Sequence, residues 1–65
     1  MNFSEKVIIV RKKLNLSQEK LAALLGVSFS TINRWEKGRS KPSYLAQEKF
    51  VSFCKENGIN FSMGE

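Results

Sequence analysis

The sequence predicts an all-α fold, a compact bundle of four helices with room for at most a vestigial fifth turn. Three observations lead to this prediction. Apolar residues recur at spacings of three and four along most of the chain, as in helices with one buried side. Glycine, asparagine or proline interrupts that periodicity where a helix has to end, and a serine or asparagine that can cap a helix stands at each of the first three starts. The length of 65 residues suits one domain.

The first helix is predicted from about residue 2 or 3 to residue 13, with Asn2 or Ser4 as its cap. It carries one narrow apolar stripe at spacings of four, three and four, formed by Phe3, Val7, Val10 and Leu14. Ile8 and Ile9 lie on opposite flanks of this stripe. They indicate either a helix buried on more than one side or a surface for a partner.

Two short helical patterns flank a glycine in the middle of the chain. Ser17 is a good N-cap for the first, whose apolar residues are Leu21, Ala22, Leu24 and Leu25. Gly26 follows directly, where a helix end needs a residue that tolerates positive φ. Ser28 is a second N-cap, so the next helix, about residues 29–37, begins after only two residues. Two helices joined by so short a turn cross steeply, which predicts a helix-turn-helix over residues 17–37.

The second of these helices has two chemically different sides. Ile32 and Trp35 fall together and can be buried against the preceding helix. The opposite side has no acid and consists of Phe29, Ser30, Asn33, Arg34 and Lys37. Amide and guanidinium groups read base edges, and lysine pairs with phosphate. A merely solvated face more often carries glutamate–lysine pairs, so this side is predicted to read double-stranded DNA.

A loop and a fourth helix follow. Gly38 is a stop for the third helix, and Pro42 disfavours a helical residue before it, so residues 39–43 are predicted to be a loop. The fourth helix is predicted over about residues 43–56, with a broad apolar face formed by Leu45, Ala46, Phe50, Phe53 and Cys54. Cys54 is interpreted as a small core residue rather than a reactive thiol.

The end of the fourth helix sets the predicted domain boundary. Asn57 and Gly58 are a strong helix stop, which gives a helix-turn-helix domain over residues 1–58 and a short tail over residues 59–65. Ile59 and Phe61 of this tail are expected to fold back on the core, and the last residues to fray.

Charge and composition narrow the function further. Lysine and arginine outnumber aspartate and glutamate by 11 to 6, a net charge of +5, and the cations cluster around residues 34–41 and 11–13. A basic surface attracts polyanions. With one cysteine and no histidine, the chain predicts no intramolecular disulfide and no histidine-based metal site. Paired carboxylates and glycine-rich phosphate loops are missing from the pattern, so no enzyme activity, cofactor or small-molecule ligand is expected. No apolar run approaches membrane-spanning length, and a cytoplasmic location is expected.

Four runs of the sequence resemble the lambda-repressor-like, or Xre-type, helix-turn-helix proteins of phages and bacteria. They are LSQEKLA from Leu16, LGVS from Leu25, TINRWEKG from Thr31 and KPS from Lys41. The specific signal is the combined spacing of Gln18, Ala22, Gly26, Ile32 and Trp35. The resemblance covers roughly residues 7–53 and implies an all-α DNA-binding domain.

The resemblance also assigns roles to individual residues. It implies that Gln18, in the first turn of its helix, clamps the DNA backbone, and that Trp35 is buried. It implies phosphate contacts for the loop residues Arg39, Ser40 and Lys41. An arginine late in the first helix and a glutamate late in the third form an ion pair in the family, which here implies a pair between Arg11 and Glu36.

Docking of the third helix in the major groove suggests roles for its own residues. The candidate base-reading residues are Phe29, whose ring can pack on a thymine methyl, Ser30, Asn33 and Arg34. Arg34 is the best candidate for a bidentate contact to guanine, and Asn33 could read adenine or hold the DNA backbone. The remaining candidate phosphate-binding residues are Ser28, Thr31 and Lys37.

Two questions of function stay open at this point. Many family members dimerise through a fifth helix, but only seven residues follow Gly58 here, too few for more than one turn. The chain could therefore bind a palindromic site as a homodimer, or it could bind as a monomer. A sequence-specific prokaryotic or phage transcriptional regulator is the leading interpretation. The alternatives are a protein-interaction module, antitoxin-like or an adaptor, and the DNA-targeting arm of a larger restriction-modification type protein. The module would bind through exposed apolar residues, namely Ile8, Ile9, Tyr44 and Val51.

Overall fold

A computed structural model of the chain describes residues 1–61, which confirm the all-α prediction. Its four helices are α1 (Phe3–Lys13), α2 (Gln18–Leu25), α3 (Phe29–Glu36) and α4 (Tyr44–Glu56). α3 is the central element, because both α1 and α2 pack against it, while α4 contacts α2. Residues 57–61 contain no fifth helix, and the predicted fraying of the last residues lies outside the described part of the chain.

Polar side chains cap the start of each helix. Asn2 caps α1 in a capping box, because its side chain accepts from the Glu5 amide and the Glu5 carboxylate accepts from the Asn2 amide. Ser17, Ser28 and Ser43 each accept the amide three residues further on. The cap residues lie just outside the helices. The fourth helix therefore begins at residue 44 and not at 43 as expected, and the third ends at residue 36 and not at 37.

The turn between α2 and α3 depends on the backbone freedom of Gly26. This residue has φ of +72° and caps the C-terminus of α2 in the left-handed conformation. A Cβ built on Gly26 would meet nothing within 4 Å, so the glycine is required by its dihedral angle and not by lack of space. The Val27 amide then donates to the Ala22 carbonyl at 3.0 Å, which closes the turn before Ser28 starts α3.

One apolar core joins the four helices. Its fully buried side chains come from three of them: Val7, Val10, Leu21 and Ile32. Phe3 links the start of α1 to α3 and α4, because its ring lies edge-on to Trp35 at a centroid distance of 5.1 Å and to Phe50 at 5.2 Å. The tail also folds back as expected, with Ile59 buried and Phe61 partly buried against the core.

Two leucines that fit the helical apolar periodicity are exposed. Leu45 of α4 is 66% exposed and Leu24 of α2 is 53% exposed. The expectation that Leu45 shares the buried face of α4 was therefore wrong. In a domain of this size, the other helices are too few and too short to cover a broad apolar face. The buried residues of α4 therefore lie in its second half, namely Phe50, Phe53 and Cys54.

Candidate nucleic-acid interface

The side of α3 that faces the protein holds it firmly in place. Ile32 is fully buried and Trp35 is 4% exposed, as the helical periodicity predicts. Ser4 of α1 adds a polar contact, since its hydroxyl donates to the Glu36 carbonyl oxygen at 2.8 Å. This bond satisfies a carbonyl in the last turn of α3, where no intrahelical donor exists. The orientation of α3 is thus fixed by contacts at its middle and at its C-terminal end.

The opposite side of α3 is open to solvent and carries no acid. Phe29, Ser30, Arg34 and Lys37 are exposed, and the Phe29 ring keeps about half of its surface accessible (49%). Asn33 is only partly exposed. The predicted base-reading residues Phe29, Ser30 and Arg34 therefore share one accessible surface, and Asn33 lies at its edge.

Hydroxyl groups cluster at the start of α3. The Ser28 hydroxyl accepts from the Thr31 amide at 3.2 Å, and its oxygen lies 3.1 Å from that of Ser30 and 2.9 Å from that of Thr31. These three hydroxyls surround the N-terminus of α3, where backbone N–H groups have no intrahelical acceptor. Ser28 and Thr31 were predicted as phosphate contacts, and the hydroxyls of both lie at the helix end that favours an anion.

The loop between α3 and α4 extends this surface with cations. Lys37 caps α3, Gly38 turns the chain with φ of +70°, and Arg39, Ser40 and Lys41 are all exposed. Every predicted loop contact therefore lies on an accessible segment that starts at the C-terminal end of α3. Its cations are free of ion pairs within residues 1–61.

The only acid of α3 points away from this surface. Glu36 pairs with Arg11 of α1, with Arg11 Nε 2.6 Å from Glu36 Oε2 and Nη2 3.0 Å from Oε1. The side chains of Glu36 and Arg11 are 8% and 20% exposed. Burial raises the pKa of Glu36, but hydrogen bonds from Arg11 and Gln18 and the attraction of Arg11 outweigh burial, so the pKa is lowered. The carboxylate is charged, internally neutralised and unavailable to repel a polyanion.

Gln18 has partners that the sequence did not reveal. Its Nε2 donates to Glu36 Oε1 at 2.9 Å, and its Oε1 accepts from Asn33 Nδ2 at 3.2 Å. The side chain predicted to clamp phosphate is thus also bound inside the protein. No local pattern signals these contacts, because the crossing of α2 over α3 brings together residues that are 15 and 18 positions apart.

The described residues offer neither a metal-binding cluster nor a membrane-spanning helix. Within residues 1–61, no group of three or more acidic or cysteine side chains is arranged to hold a metal ion. No helix among those residues is both long enough and apolar enough to cross a membrane.

Comparison with known proteins places the chain among helix-turn-helix proteins. The sequence model of the helix-turn-helix family matches residues 7–46. The chain is 46% identical over 39 residues to repressor protein C of Escherichia phage P2, which covers 60% of this chain and 39% of that protein. It is 44% identical over 43 residues to the HTH-type transcriptional activator BcrR of Enterococcus faecalis, which covers 66% of this chain and 21% of the activator. No solved structure gives a significant match.

These two matches cover less than half the length of each relative. The family match spans more than half of this chain and contains the predicted helix-turn-helix over residues 17–37. The chain belongs to the lambda-repressor-like, Xre-type helix-turn-helix family.

Proposed function

We propose that this chain binds double-stranded DNA sequence-specifically, with α3 as the recognition helix in the major groove. The observation that carries this proposal is the exposed side of α3, which has no acid, because the only carboxylate of α3 is turned inward and neutralised by Arg11. Such a surface can approach the phosphate backbone without charge repulsion and presents hydrogen-bonding groups to base edges.

The proposed roles follow from position on this surface. The N-terminal residues of a recognition helix approach base edges, which assigns the Phe29 ring to a thymine methyl and Ser30 to a hydrogen bond. Arg34, one turn further on, is assigned to guanine. The residues assigned to phosphate surround this helix: Gln18, Ser28, Thr31, Lys37, Arg39, Ser40 and Lys41.

Regulation of transcription is the proposed biological use of this binding. One relative is named a repressor and the other a transcriptional activator, so the shared helix-turn-helix supports a regulator of either sign. A single recognition helix reads only about one half-site, and we propose that two copies bind a palindromic site with half-sites about one helical turn apart.

Selection of bound sequences from a random duplex pool at two salt concentrations tests this function. The wild-type chain should enrich a defined motif, and Arg34→Ala should lose the preference at a guanine, a discrimination of ~1–3 kcal/mol. Lys55→Ala is the matched control, because it removes one exposed cation from α4 and should leave the motif unchanged. Retention on DNA with no enriched motif in the wild type would contradict sequence-specific binding.

A protein-interaction module is the second candidate, because several apolar side chains are exposed away from α3. Tyr44 is 76%, Val51 is 49% and Ile9 is 40% exposed. Under this alternative, Tyr44→Asp would abolish a complex that Arg34→Ala leaves intact. A complex with DNA that Arg34→Ala weakens and Tyr44→Asp leaves intact supports DNA binding.

A further inference from the structure

An unbroken chain of hydrogen bonds crosses three helices beneath the proposed DNA surface. It starts at Arg11 of α1, which donates to Glu36 of α3 through Nε and Nη2 at 2.6 and 3.0 Å. Glu36 Oε1 also accepts from Gln18 of α2 at 2.9 Å, and Gln18 Oε1 accepts from Asn33 of α3 at 3.2 Å. The chain ends at the one predicted base-reading residue that is partly buried.

The carboxylate of Glu36 fixes the direction of every bond in this chain. An ionised carboxylate only accepts, so Gln18 has to turn its NH2 group toward Glu36 and its carbonyl oxygen toward Asn33. That carbonyl also only accepts, so Asn33 has to turn its NH2 group toward α2. Rotating either amide by 180° would place two acceptors in contact. The Oδ1 atom of Asn33 therefore points away from Gln18, and one N–H of the same amide remains unused.

We propose, on the basis of the DNA-binding function above, that Gln18 is a positioning residue that fixes the amide of Asn33 for base recognition. With Oδ1 held away from α2, Asn33 presents an acceptor at the edge of the exposed side of α3. The matching base carries an exocyclic amino group in the major groove, as adenine and cytosine do. Adenine fits best, because its N7 can accept the remaining N–H of Asn33.

Positioning of Asn33 is a role in addition to the phosphate contact proposed above for Gln18, and the two roles have different measurable effects. A side chain that only binds phosphate lowers the affinity for all sequences equally when it is removed. A positioning residue instead changes the preference at one base pair. That change depends on Asn33, so removing Gln18 should have no further effect on that preference once Asn33 is gone.

The experiment measures the affinity of the full chain for four duplexes that differ at one base pair. That base pair is the one at which Asn33→Ala loses the preference found by selection. The wild type should prefer the amino-bearing base by at least roughly fivefold, the low end for one well-placed contact. Gln18→Met, which keeps the length of the side chain but cannot hydrogen-bond, should reduce this preference to below about twofold. The double variant with Asn33→Ala should lose nothing more.

The control is Gln47→Met, the same chemical change at an exposed glutamine of α4, and it should keep the full preference. Circular dichroism and thermal melting establish that each variant is folded. A uniform loss of affinity in Gln18→Met with the preference intact would overturn the inference, as would an Asn33→Ala variant that loses no base preference. If the wild type enriches no motif at all, the proposed DNA recognition itself fails.

Discussion

Replacing Glu36 by glutamine removes the charge at the centre of the polar contacts between α1, α2 and α3. Three hydrogen bonds end on this carboxylate, two from Arg11 and one from Gln18. Glu36→Gln keeps the shape of the side chain but leaves the Arg11 guanidinium without a counter-charge. It also brings an NH2 group toward donors, since an amide offers only one oxygen.

The cost follows from the burial of the two partners. Exposed ion pairs contribute ~0.2–1 kcal/mol, whereas breaking a buried pair costs ~3–5 kcal/mol. Glu36 is 8% exposed and Arg11 is 20% exposed, so water reaches only part of the stranded guanidinium. We expect a loss of about 2–3 kcal/mol, close to the low end of that buried range. For a domain of this size, the melting temperature should fall by roughly 10–20 °C.

Urea unfolding near the temperature of maximum stability measures this loss, because a small domain has only about 3–5 kcal/mol to lose. Glu19→Gln, which neutralises an exposed acid of α2, should cost less than about 0.5 kcal/mol.

The stability that Glu36 contributes should also depend on pH, because its pKa is lowered in the folded state. This contribution to the free energy of unfolding is present above the unfolded pKa of about 4.3 and is lost as the pH falls through the folded pKa. The gap between wild type and Glu36→Gln should therefore narrow below about pH 4. Equal costs for Glu36→Gln and Glu19→Gln at pH 7 would refute the reasoning.

Three further predictions concern single residues outside the polar contacts. Gly26→Ala should lower the free energy of unfolding by about 1–2 kcal/mol, because an alanine is strained at φ of +72° although no neighbour lies close to the added methyl group. Thermal melting measures this loss, and an unchanged melting temperature would contradict it. The Glu48 carboxylate, one turn further along α4, raises the pKa of Tyr44, the chain's only tyrosine. The absorbance titration of Tyr44 should therefore move to lower pH in Glu48→Gln, and an unmoved midpoint would contradict this influence of Glu48. Burial raises the pKa of the Cys54 thiol despite the opposing charge of Lys6. Iodoacetamide should therefore modify Cys54 far more slowly in the native chain than in urea, and equal rates would show that the thiol is accessible.

The sequence was sufficient to predict the four helices, because caps and stops are local signals. Ser17 and Ser28 cap α2 and α3 as predicted, Asn2 is the one of the two candidates that caps α1, and Gly26 ends α2 with a positive φ. Ser43, predicted as the first residue of the fourth helix, is instead its cap. Periodicity was less reliable for burial, since it states which residues share a side and not whether another element covers that side. Leu45 and Leu24 are exposed for this reason.

For the candidate site, the sequence indicated which residue types share the outer side of α3 but not how they are held. The pairing of Arg11 with Glu36 came from the resemblance, and the structure places the two side chains in contact. The link from Glu36 through Gln18 to Asn33 could not be predicted, because it depends on the crossing angle of α2 and α3. An amide can donate or accept, so composition alone does not state which atom it presents.

The most direct test of α3 as the DNA-reading surface is a titration of the labelled chain with its selected duplex, followed by backbone amide NMR. Signals should shift along the outer side of α3, at the start of α2 and in the loop over residues 37–41, and the outer side of α4 should stay unchanged. Increasing the salt concentration should weaken binding steeply, since each neutralised phosphate contributes about −0.9 to the slope of log K against log salt. Shifts confined to Tyr44, Val51 and Lys55 of α4 would contradict the assignment of α3 as the DNA-reading surface.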